Sequence, residues 1–368
     1  MNVGDRLMNE VAYNRKREIH VFVAMSGGVD SSVAAALLVD AGYRVTGVLL
    51  ELWADEMAAN QSSTGEAVAG ARDVARRLDI PFELLDCRAR FKQEVVDDFV
   101  ATYARGQTPN PCIRCNPTIK FGYLLTEALA NHADFLATGH YARIRRTEAG
   151  AYQLLKGVDP VKDQSYMLQR LNQVQLARAL FPLGELTKSD VRRIARERGL
   201  PIFDRPESQD LCFLPGGDYR GFLSRHMPSA MRPGPIADTR GNILGQHLGL
   251  AGYTIGQRRG LGIAAPEPLY VVRLDVAANT LVVGPAEALG RDTLTAGHTS
   301  YISGRPPASP TPVQAKIRYT TLPTPALLTP LPDSRAHVSF DHPLRDITPG
   351  QSVAFYQGEL LLGGGIIE

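Results

Sequence analysis

The chain has 368 residues, of which 44% are apolar and 21% charged, and its formal net charge is +2. This length predicts two or three domains rather than one core, and the composition excludes a disordered or fibrous protein. No apolar stretch approaches the ~18 residues of a membrane span, and charged residues interrupt the N-terminal region where a signal core would lie. We therefore expect a cytoplasmic monomer without a membrane segment, in which residues 1–18 form a polar extension.

The first predicted element is a strand at Ile19–Met25, followed by a glycine turn at Ser26–Ser31 and a helix that runs on from Ser32. Glycines let backbone N–H groups face a ligand, and the helix dipole favours negative charge at that point. We expect a phosphate site here rather than an ordinary strand–helix turn. The loop lacks the Gly-Lys-Ser ending of a Walker A loop, which argues against the usual γ-phosphate transfer.

The loop sequence Ser-Gly-Gly-Val-Asp-Ser-Ser resembles the PP-loop of ATP pyrophosphatases. That resemblance implies an enzyme that splits ATP into AMP and pyrophosphate and adenylates a substrate oxygen.

Strand and helix patterns alternate through the first half of the chain, with further strands predicted at Arg44–Leu50, Pro81–Leu85 and Ala133–His140. Such alternation predicts an α/β fold with a doubly wound, mostly parallel sheet, which we assign to residues 19–217. Ligands of these sheets sit beyond the carboxyl ends of the strands. The rim should therefore include the phosphate loop at Ser26–Ser31, the loop after Leu50, and Gly139 with His140.

Glycine and proline become dense after residue 217, and helical periodicity fades. We expect a small β-rich central domain at 218–290 and an antiparallel β-barrel at 291–368. Residues 219–260 carry six arginines and one acidic residue, which suits either a solvated face or a phosphate-backbone contact surface.

The four cysteines, Cys87, Cys112, Cys115 and Cys212, are too few for a secreted disulfide scaffold. Cys112 and Cys115 form a Cys-x-x-Cys pair within 108–117, where three prolines and two asparagines predict a shaped loop. Two thiols at this spacing can bind one metal, form a redox pair or supply a nucleophile, and Cys212 is the candidate for a third thiol at the same site. An iron–sulfur cluster with an open iron and a persulfide-carrying thiol pair both remain possible. Cys87 reads as a small buried side chain.

Other polar blocks carry weaker signals. Lys162–Tyr166 suits a phosphate or base contact or a solvated loop, and Tyr253–Gly262 suits a phosphate-contacting turn or a basic hairpin tip. His140 suits a base or a ligand, but a lone histidine is more often structural.

These blocks together resemble the tRNA-specific 2-thiouridylases, which thiolate the wobble uridine. The resemblance runs from about Ile19 to Glu368. It rests on ordered motifs at 26–32, 108–116, 119–122, 137–141, 162–166, 208–213, 253–263, 318–319, 349–351 and 363–367.

The resemblance implies adenylation of the uridine C2 oxygen by ATP with Mg²⁺, then sulfur transfer from a persulfide-carrier protein. The implied ATP site consists of Ala24, Met25, Ser26, Gly27, Gly28, Val29, Asp30, Ser31, Leu50 and Gly139. The implied contacts to tRNA are Asn110, Pro111 and Cys112 at the base, and His140, Lys162, Asp163, Gln164, Arg318, Tyr319 and Gln351 elsewhere. The implied substrates are the tRNAs for Lys, Glu and Gln.

In the persulfide scheme that the resemblance implies, Cys212 receives the sulfur and Cys115 resolves it, leaving a disulfide between them. Many relatives carry aspartate where this chain has Cys112, and a thiol does not replace a carboxylate without retuning. This departure favours a [4Fe-4S] cluster held by Cys112, Cys115 and Cys212, whose open iron would deliver hydrosulfide. A second departure, Leu50 where some relatives have Met, should be harmless at an adenine wall.

The alternatives are another PP-loop ligase or amidotransferase, a redox or metal-binding module, and a passive RNA-binding protein. A metal module leaves the phosphate loop unexplained, and a passive binder explains neither that loop nor the cysteines.

Overall fold

The computed structural model describes residues 18–55, 62–202, 211–214, 216–345 and 347–368. The chain divides into two units that do not follow chain order. The first comprises Met1–Lys92, Cys115–Pro215 and Glu359–Leu361, and the second comprises Gln93–Arg114, Gly216–Gly358 and Leu362–Glu368. The connector at 93–114, which carries Cys112, thus belongs to the second unit, and the boundary falls just before Cys115. The predicted extension at 1–18 lies outside the described residues except for its last one.

The first unit is built on a five-stranded sheet in the order β3-β2-β1-β4-β7, with every neighbouring pair parallel. Its strands are β1 (His20–Ala24), β2 (Arg44–Glu51), β3 (Phe82–Asp86), β4 (Phe135–Thr138) and β7 (Ala179–Leu180). A hairpin of β5 (Ala142–Arg146) and β6 (Tyr152–Lys156) follows β4, and Leu360–Leu361 pairs with β6. The parallel sheet predicted for this half is confirmed.

Helices cover this sheet and supply half of its core. The first, α1, runs from Val29 to Asp40, and its Val33, Ala34 and Ala35 are fully buried against the strands. The other helices of the first unit are Ser62–Arg77, Arg88–Phe91, Leu125–Ala130, Gln173–Leu176 and Lys188–Glu197, with a π-helix at Asn116–Leu124 and a 3-10 turn at Ser165–Leu168.

Helix Lys188–Glu197 shows how local sequence defines an element. Thr187 and Asp190 form a reciprocal capping box at its start, and Gly199 (φ 57°) takes a left-handed conformation after its end. This is the basic helix predicted between Thr187 and Leu200.

The second unit contains a four-stranded central sheet in the order β10-β11-β8-β9. Its strands are β8 (Gly234–Asp238), β9 (Ile243–His247), β10 (Tyr270–Asp275) and β11 (Thr280–Gly284). The helical elements of this unit are Asp97–Ala104, Tyr219–His226, Pro228–Ala230, Leu250–Gly252 and Ala286–Leu289; the π-helix Lys92–Val96 and the helix Pro111–Cys115 cross the unit boundaries.

An antiparallel barrel completes the second unit. Its strands are β12 (Arg291–Tyr301), β13 (Thr311–Lys316), β14 (Thr324–Leu331), β15 (Arg335–Leu344), β16 (Ser352–Gln357) and β17 (Leu360–Ile367). Strand β12 pairs with both β15 and β17, which closes the sheet on itself, and residues such as Val338 and Phe355 fill the interior. The predicted C-terminal barrel is confirmed.

No helix in the described part of the chain combines the length and the apolar character that crossing a membrane requires. The predicted boundaries at 217/218 and 290/291 stay predictions.

Candidate active site

The predicted phosphate loop links β1 to the N-terminus of α1. Gly27 has φ 72°, and a Cβ on it would lie 2.5 Å from the carbonyl oxygen of Ala67, so the turn requires glycine. Gly28 is the N-cap of α1 in an extended conformation and has no side chain with which to cap the helix. The N-terminal end of α1 is therefore built to receive an anion.

Hydroxyl groups brace this loop from within. The backbone N–H of Ser26 donates to Ser31 Oγ at 3.1 Å, and the two serine Oγ atoms lie 3.3 Å apart. Ser31 and Ser32 both donate to the carbonyl oxygen of Gly28, at 3.2 and 2.9 Å. These bonds hold the loop in one shape before any ligand arrives.

The carboxyl end of β4 packs directly against the start of α1. Ala24 and Thr138 are partners in the parallel β1–β4 register, so the residues after them meet at one rim. A Cβ on Gly139 would lie 2.7 Å from the backbone N of Ser31 and 2.8 Å from the carbonyl carbon of Asp30. Gly139 thus lies against the loop, at the carboxyl ends of the strands where it was predicted, and its missing side chain permits this close approach.

Two residues that were not among the predicted site residues, Lys188 and Tyr141, complete the loop. Asp30 Oδ1 accepts from Lys188 Nζ at 2.6 Å and from the Tyr141 hydroxyl at 2.8 Å. The Lys188 side chain is only 12% exposed, so its charge is fixed beside the N-terminus of α1. Lys188 is 158 positions from Asp30 in the chain, and no local signal connects the two.

The remaining predicted ATP-site residues lie at the same strand ends. The Met25 N–H donates to Val48 O at 2.7 Å, and the buried Met25 side chain covers Gly47. Leu50 is half-buried near the end of β2, where it pairs in register with Leu85.

His140 lies inside the first unit rather than on its surface. The residue is 8% exposed, its ring packs beside Phe121 and Phe181, and its Nδ1 lies 2.6 Å from Thr138 Oγ1. Burial, assisted by the charge of Lys120, holds the pKa of His140 well below its ordinary value. His140 is therefore neutral at pH 7.

This buried histidine predicts a pH dependence of stability. Below about pH 6.5 an unfolded chain protonates this histidine while the folded chain does not, so folding becomes less favourable as pH falls. Between about pH 6.5 and the lower pKa of His140 in the folded protein, each unit of falling pH removes up to about 1.4 kcal/mol from the free energy of unfolding. Urea denaturation of the wild type and His140→Gln from about pH 7 to about pH 5 should show the shallower slope in the variant. Equal slopes would contradict a neutral, buried His140.

The predicted tRNA contacts at 162–164 mostly form hydrogen bonds within the first unit. Buried Asp163 accepts from the N–H groups of Gly157 and Ser165 and from the Ser165 hydroxyl. Gln164 Oε1 accepts from the Tyr141 N–H at 3.1 Å and so holds the residue that binds Asp30. Lys162 is half-buried.

The cysteine pair lies on a helix, so the prediction of a loop across 108–117 was wrong from Pro111 onward. Pro111 opens the helix Pro111–Cys115, and Pro117 stands at the start of the following π-helix. Proline is tolerated in a first turn because its missing N–H would have no helical partner there. Cys112, exposed, and Cys115, half-buried, are one helical turn apart and share a face.

Cys212 is exposed, and its neighbour Phe213 is buried against Phe91 with ring centroids 5.8 Å apart. The predicted motif at 208–213 is described only from residue 211 onward. Cys87 is buried at the end of β3, as predicted.

In the second unit, the segment leading to the cysteine helix meets the barrel. Gln351 Nε2 donates to the carbonyl oxygens of Thr108 and Pro109 at 3.0 and 3.1 Å. Arg318 Nη2 donates to Thr348 Oγ1 at 2.5 Å and to Ile255 O at 3.2 Å. Tyr319 is half-buried beneath Lys316, whose Nζ lies 5.4 Å from the ring centroid.

The metal donors are dispersed. Within the described ranges, no three His, Cys, Asp or Glu side chains form a group able to hold a metal ion. The predicted [4Fe-4S] cluster on Cys112, Cys115 and Cys212 is therefore not confirmed and stays a prediction.

A parallel sheet whose first strand leads through a glycine turn to a helix N-terminus, with a fixed lysine beside it, defines a nucleotide-binding α/β domain. Residues 19–216 match the tRNA methyl transferase HUP domain, 220–285 the tRNA methyl transferase PRC-barrel domain, and 291–367 the aminomethyltransferase beta-barrel domain.

Curated relatives match nearly the whole length. The chain is 50% identical to the tRNA-specific 2-thiouridylase MnmA of Magnetococcus marinus and to that of Moorella thermoacetica, each over 94% of this chain and 98% of the relative. It is 49% identical to the protein of the same name from Roseiflexus castenholzii, with the same coverage. The chain belongs to the tRNA-specific 2-thiouridylase family.

Similar solved structures are distant. They include NMN synthetase from Francisella tularensis (TM-score 0.34, 17% identity, 55% of this chain and 75% of that one). They also include the U34-tRNA thiolase NcsA from Methanococcus maripaludis with its [4Fe-4S] cluster (TM-score 0.35, 17% identity, 62% of this chain and 74% of that one). Likenesses at this level carry no argument about the chemistry of this chain.

Proposed function

We propose that this protein is an ATP-dependent tRNA sulfurtransferase that converts the wobble uridine of tRNA to 2-thiouridine, with AMP and pyrophosphate as the other products. The observation that carries the proposal is the preformed anion site at the start of α1, with Lys188 fixed on Asp30, in a chain that also bears the thiols of Cys115 and Cys212. The name shared by relatives at about half identity supports the choice of substrate.

In the first step, the loop binds the phosphates of ATP. The glycines admit close approach of the backbone, and the α1 dipole favours the negative charge. Asp30 would repel phosphate if its charge were uncompensated, and Lys188 neutralises it. We assign the adenine side to Leu50 and Gly139. The C2 oxygen of uridine then attacks the α-phosphorus, and pyrophosphate leaves.

In the second step, sulfur replaces the activated oxygen. A carrier persulfide passes its outer sulfur to the Cys212 thiolate and leaves as a thiol. The terminal sulfur on Cys212 attacks C2, and AMP departs. The Cys115 thiolate then attacks Cys212 Sγ, which forms a Cys115–Cys212 disulfide and releases 2-thiouridine. A dithiol reductant restores both thiols for the next cycle.

No step is assigned to a metal held by the protein. Among the described residues no three His, Cys, Asp or Glu side chains form a group that could hold a metal ion, so we assign the sulfur step to the thiols. We propose that Mg²⁺ arrives on the phosphates of ATP.

The tRNA is assigned to both units. We place the target base at Asn110, Pro111 and exposed Cys112, and further contacts at Lys162, Arg318 and Tyr319. Buried His140 and Asp163, together with half-buried Gln164, would support such contacts from beneath rather than touch the RNA. We propose the tRNAs for Lys, Glu and Gln as substrates.

The test combines purified protein, ATP, unmodified tRNA, a persulfide-loaded carrier and a dithiol. Mass spectrometry of digested tRNA should show 2-thiouridine in equal amount to AMP. AMP formation without 2-thiouridine would point to another PP-loop ligase, and no AMP at all would leave only an RNA-binding role.

Anaerobic purification distinguishes a persulfide route through Cys212 from a route through a [4Fe-4S] cluster. We expect a colourless protein that contains no iron and is fully active with the carrier. Bound iron that disappears in Cys112→Ala, together with activity, would replace the persulfide route with a cluster.

Lys188→Met should reduce kcat/KM for ATP about 10- to 100-fold, because Asp30 loses a charge-assisted hydrogen bond of about 1.5–3 kcal/mol. Initial rates of AMP formation at varied ATP concentration measure the effect. Lys188→Arg should recover part of the loss by restoring the charge. The control Arg193→Met lies on the same helix but forms only exposed pairs, so it should leave the rate unchanged.

A further inference from the structure

Residues 108–110, which lead into the cysteine helix, lack donors of their own for their backbone carbonyl groups. Pro109 and Pro111 have no N–H, and the residue before each proline is driven toward an extended conformation. The carbonyl groups of Thr108 and Pro109 must therefore find donors elsewhere in the protein.

Both donors come from one side chain of the barrel. The amide nitrogen of Gln351 has two hydrogens, and it donates to Thr108 O at 3.0 Å and to Pro109 O at 3.1 Å. These contacts use its whole donor capacity. The backbone of Gln351 is itself fixed, because its N–H donates to Thr348 O and its carbonyl accepts from Ile367 N–H.

Neighbouring residues bring the two segments together. The Thr108 N–H donates to Pro349 O at 2.9 Å. Gly350 has φ 88°, and a Cβ there would lie 2.8 Å from Thr108 N, so only glycine allows this approach. The Thr108 hydroxyl also donates to Thr254 Oγ1 at 3.2 Å.

We propose that Gln351 is a positioning residue that holds the 108–110 segment, and through it the helix bearing Cys112, in the orientation needed for sulfur transfer. The barrel thereby fixes the entry to the catalytic helix. The functional consequence rests on the proposed function, but the structural contact does not.

The test uses Gln351→Met, which keeps the side-chain length and removes the donor, and Gln351→Glu, which places acceptors against two carbonyls. Hydrogen exchange at the Thr108 amide, followed by mass spectrometry of peptides covering 105–113, should become roughly tenfold faster or more. The rate at which iodoacetamide alkylates exposed Cys112 should differ between these variants and the wild type, because the helix that bears Cys112 is no longer held in place. Gln357→Glu is the control, because exposed Gln357 donates to one carbonyl, that of Pro312, at 3.3 Å.

Turnover assays then separate positioning from direct RNA contact. Positioning predicts a lower kcat with an unchanged Kd for tRNA. Wild-type exchange in a folded Gln351→Met protein would overturn the proposal, as would a weakened Kd for tRNA with unchanged kcat and exchange. Altered exchange in a protein whose wild type forms no 2-thiouridine would instead refute the proposed function and leave the contact intact.

Discussion

Cys115→Ser and Cys212→Ser should each lower the rate of 2-thiouridine formation roughly a thousandfold or more, because serine can neither carry nor resolve a persulfide at neutral pH. ATP binding should persist in both variants, since the PP-loop is built from other residues. The measurement is 2-thiouridine and AMP from single-turnover reactions with a persulfide-loaded carrier. In Cys115→Ser, the peptide containing Cys212 should keep an extra sulfur or remain joined to the tRNA.

Cys87→Ala is the matched control, because Cys87 is a buried side chain at the end of β3. It should keep the thiolation rate. Undiminished thiolation by Cys212→Ser would contradict the assignment of Cys212 as the sulfur carrier.

Gly139→Ala should reduce the rate of AMP formation about 10- to 100-fold. The added methyl group would lie 2.7 Å from Ser31 N and 2.8 Å from the Asp30 carbonyl carbon, so the N-terminus of α1 must move. A displacement of about 1 Å at a reacting centre can cost about 100-fold in rate. Overpacking should also lower the free energy of unfolding by about 1–3 kcal/mol.

Gly65→Ala provides the comparison within the same unit. A Cβ on Gly65 meets no atom within 4 Å, and the residue lies inside the helix Ser62–Arg77. That substitution should raise the free energy of unfolding by up to about 1 kcal/mol and leave AMP formation unchanged. Calorimetry of ATP binding and denaturant unfolding of both variants test this pair. Similar behaviour of the two would show that Gly139 does not shape the loop.

Much of the phosphate site was predictable because its signals are local. The apolar run of β1, the two glycines and the start of α1 are adjacent in sequence, and the predicted parallel sheet placed Gly139 at the same rim, as the β1–β4 register shows. The cysteine helix was mistaken for a loop because proline was counted as a helix breaker. Pro111 occupies a first-turn position, where it costs no hydrogen bond, and Pro117 lies at the point where the helix passes directly into a π-helix.

The amino-acid sequence by itself determined the parallel sheet, the barrel, the anion-binding turn and the set of candidate thiols, since each depends on periodicity or on neighbouring residues. Only the tertiary structure decided that Lys188 neutralises Asp30, that His140 is buried and neutral, and that Gln351 holds Thr108. These pairings join residues from distant parts of the chain or depend on packing around them. A single sequence carries no local pattern for them, because they form only when separate elements are folded against one another.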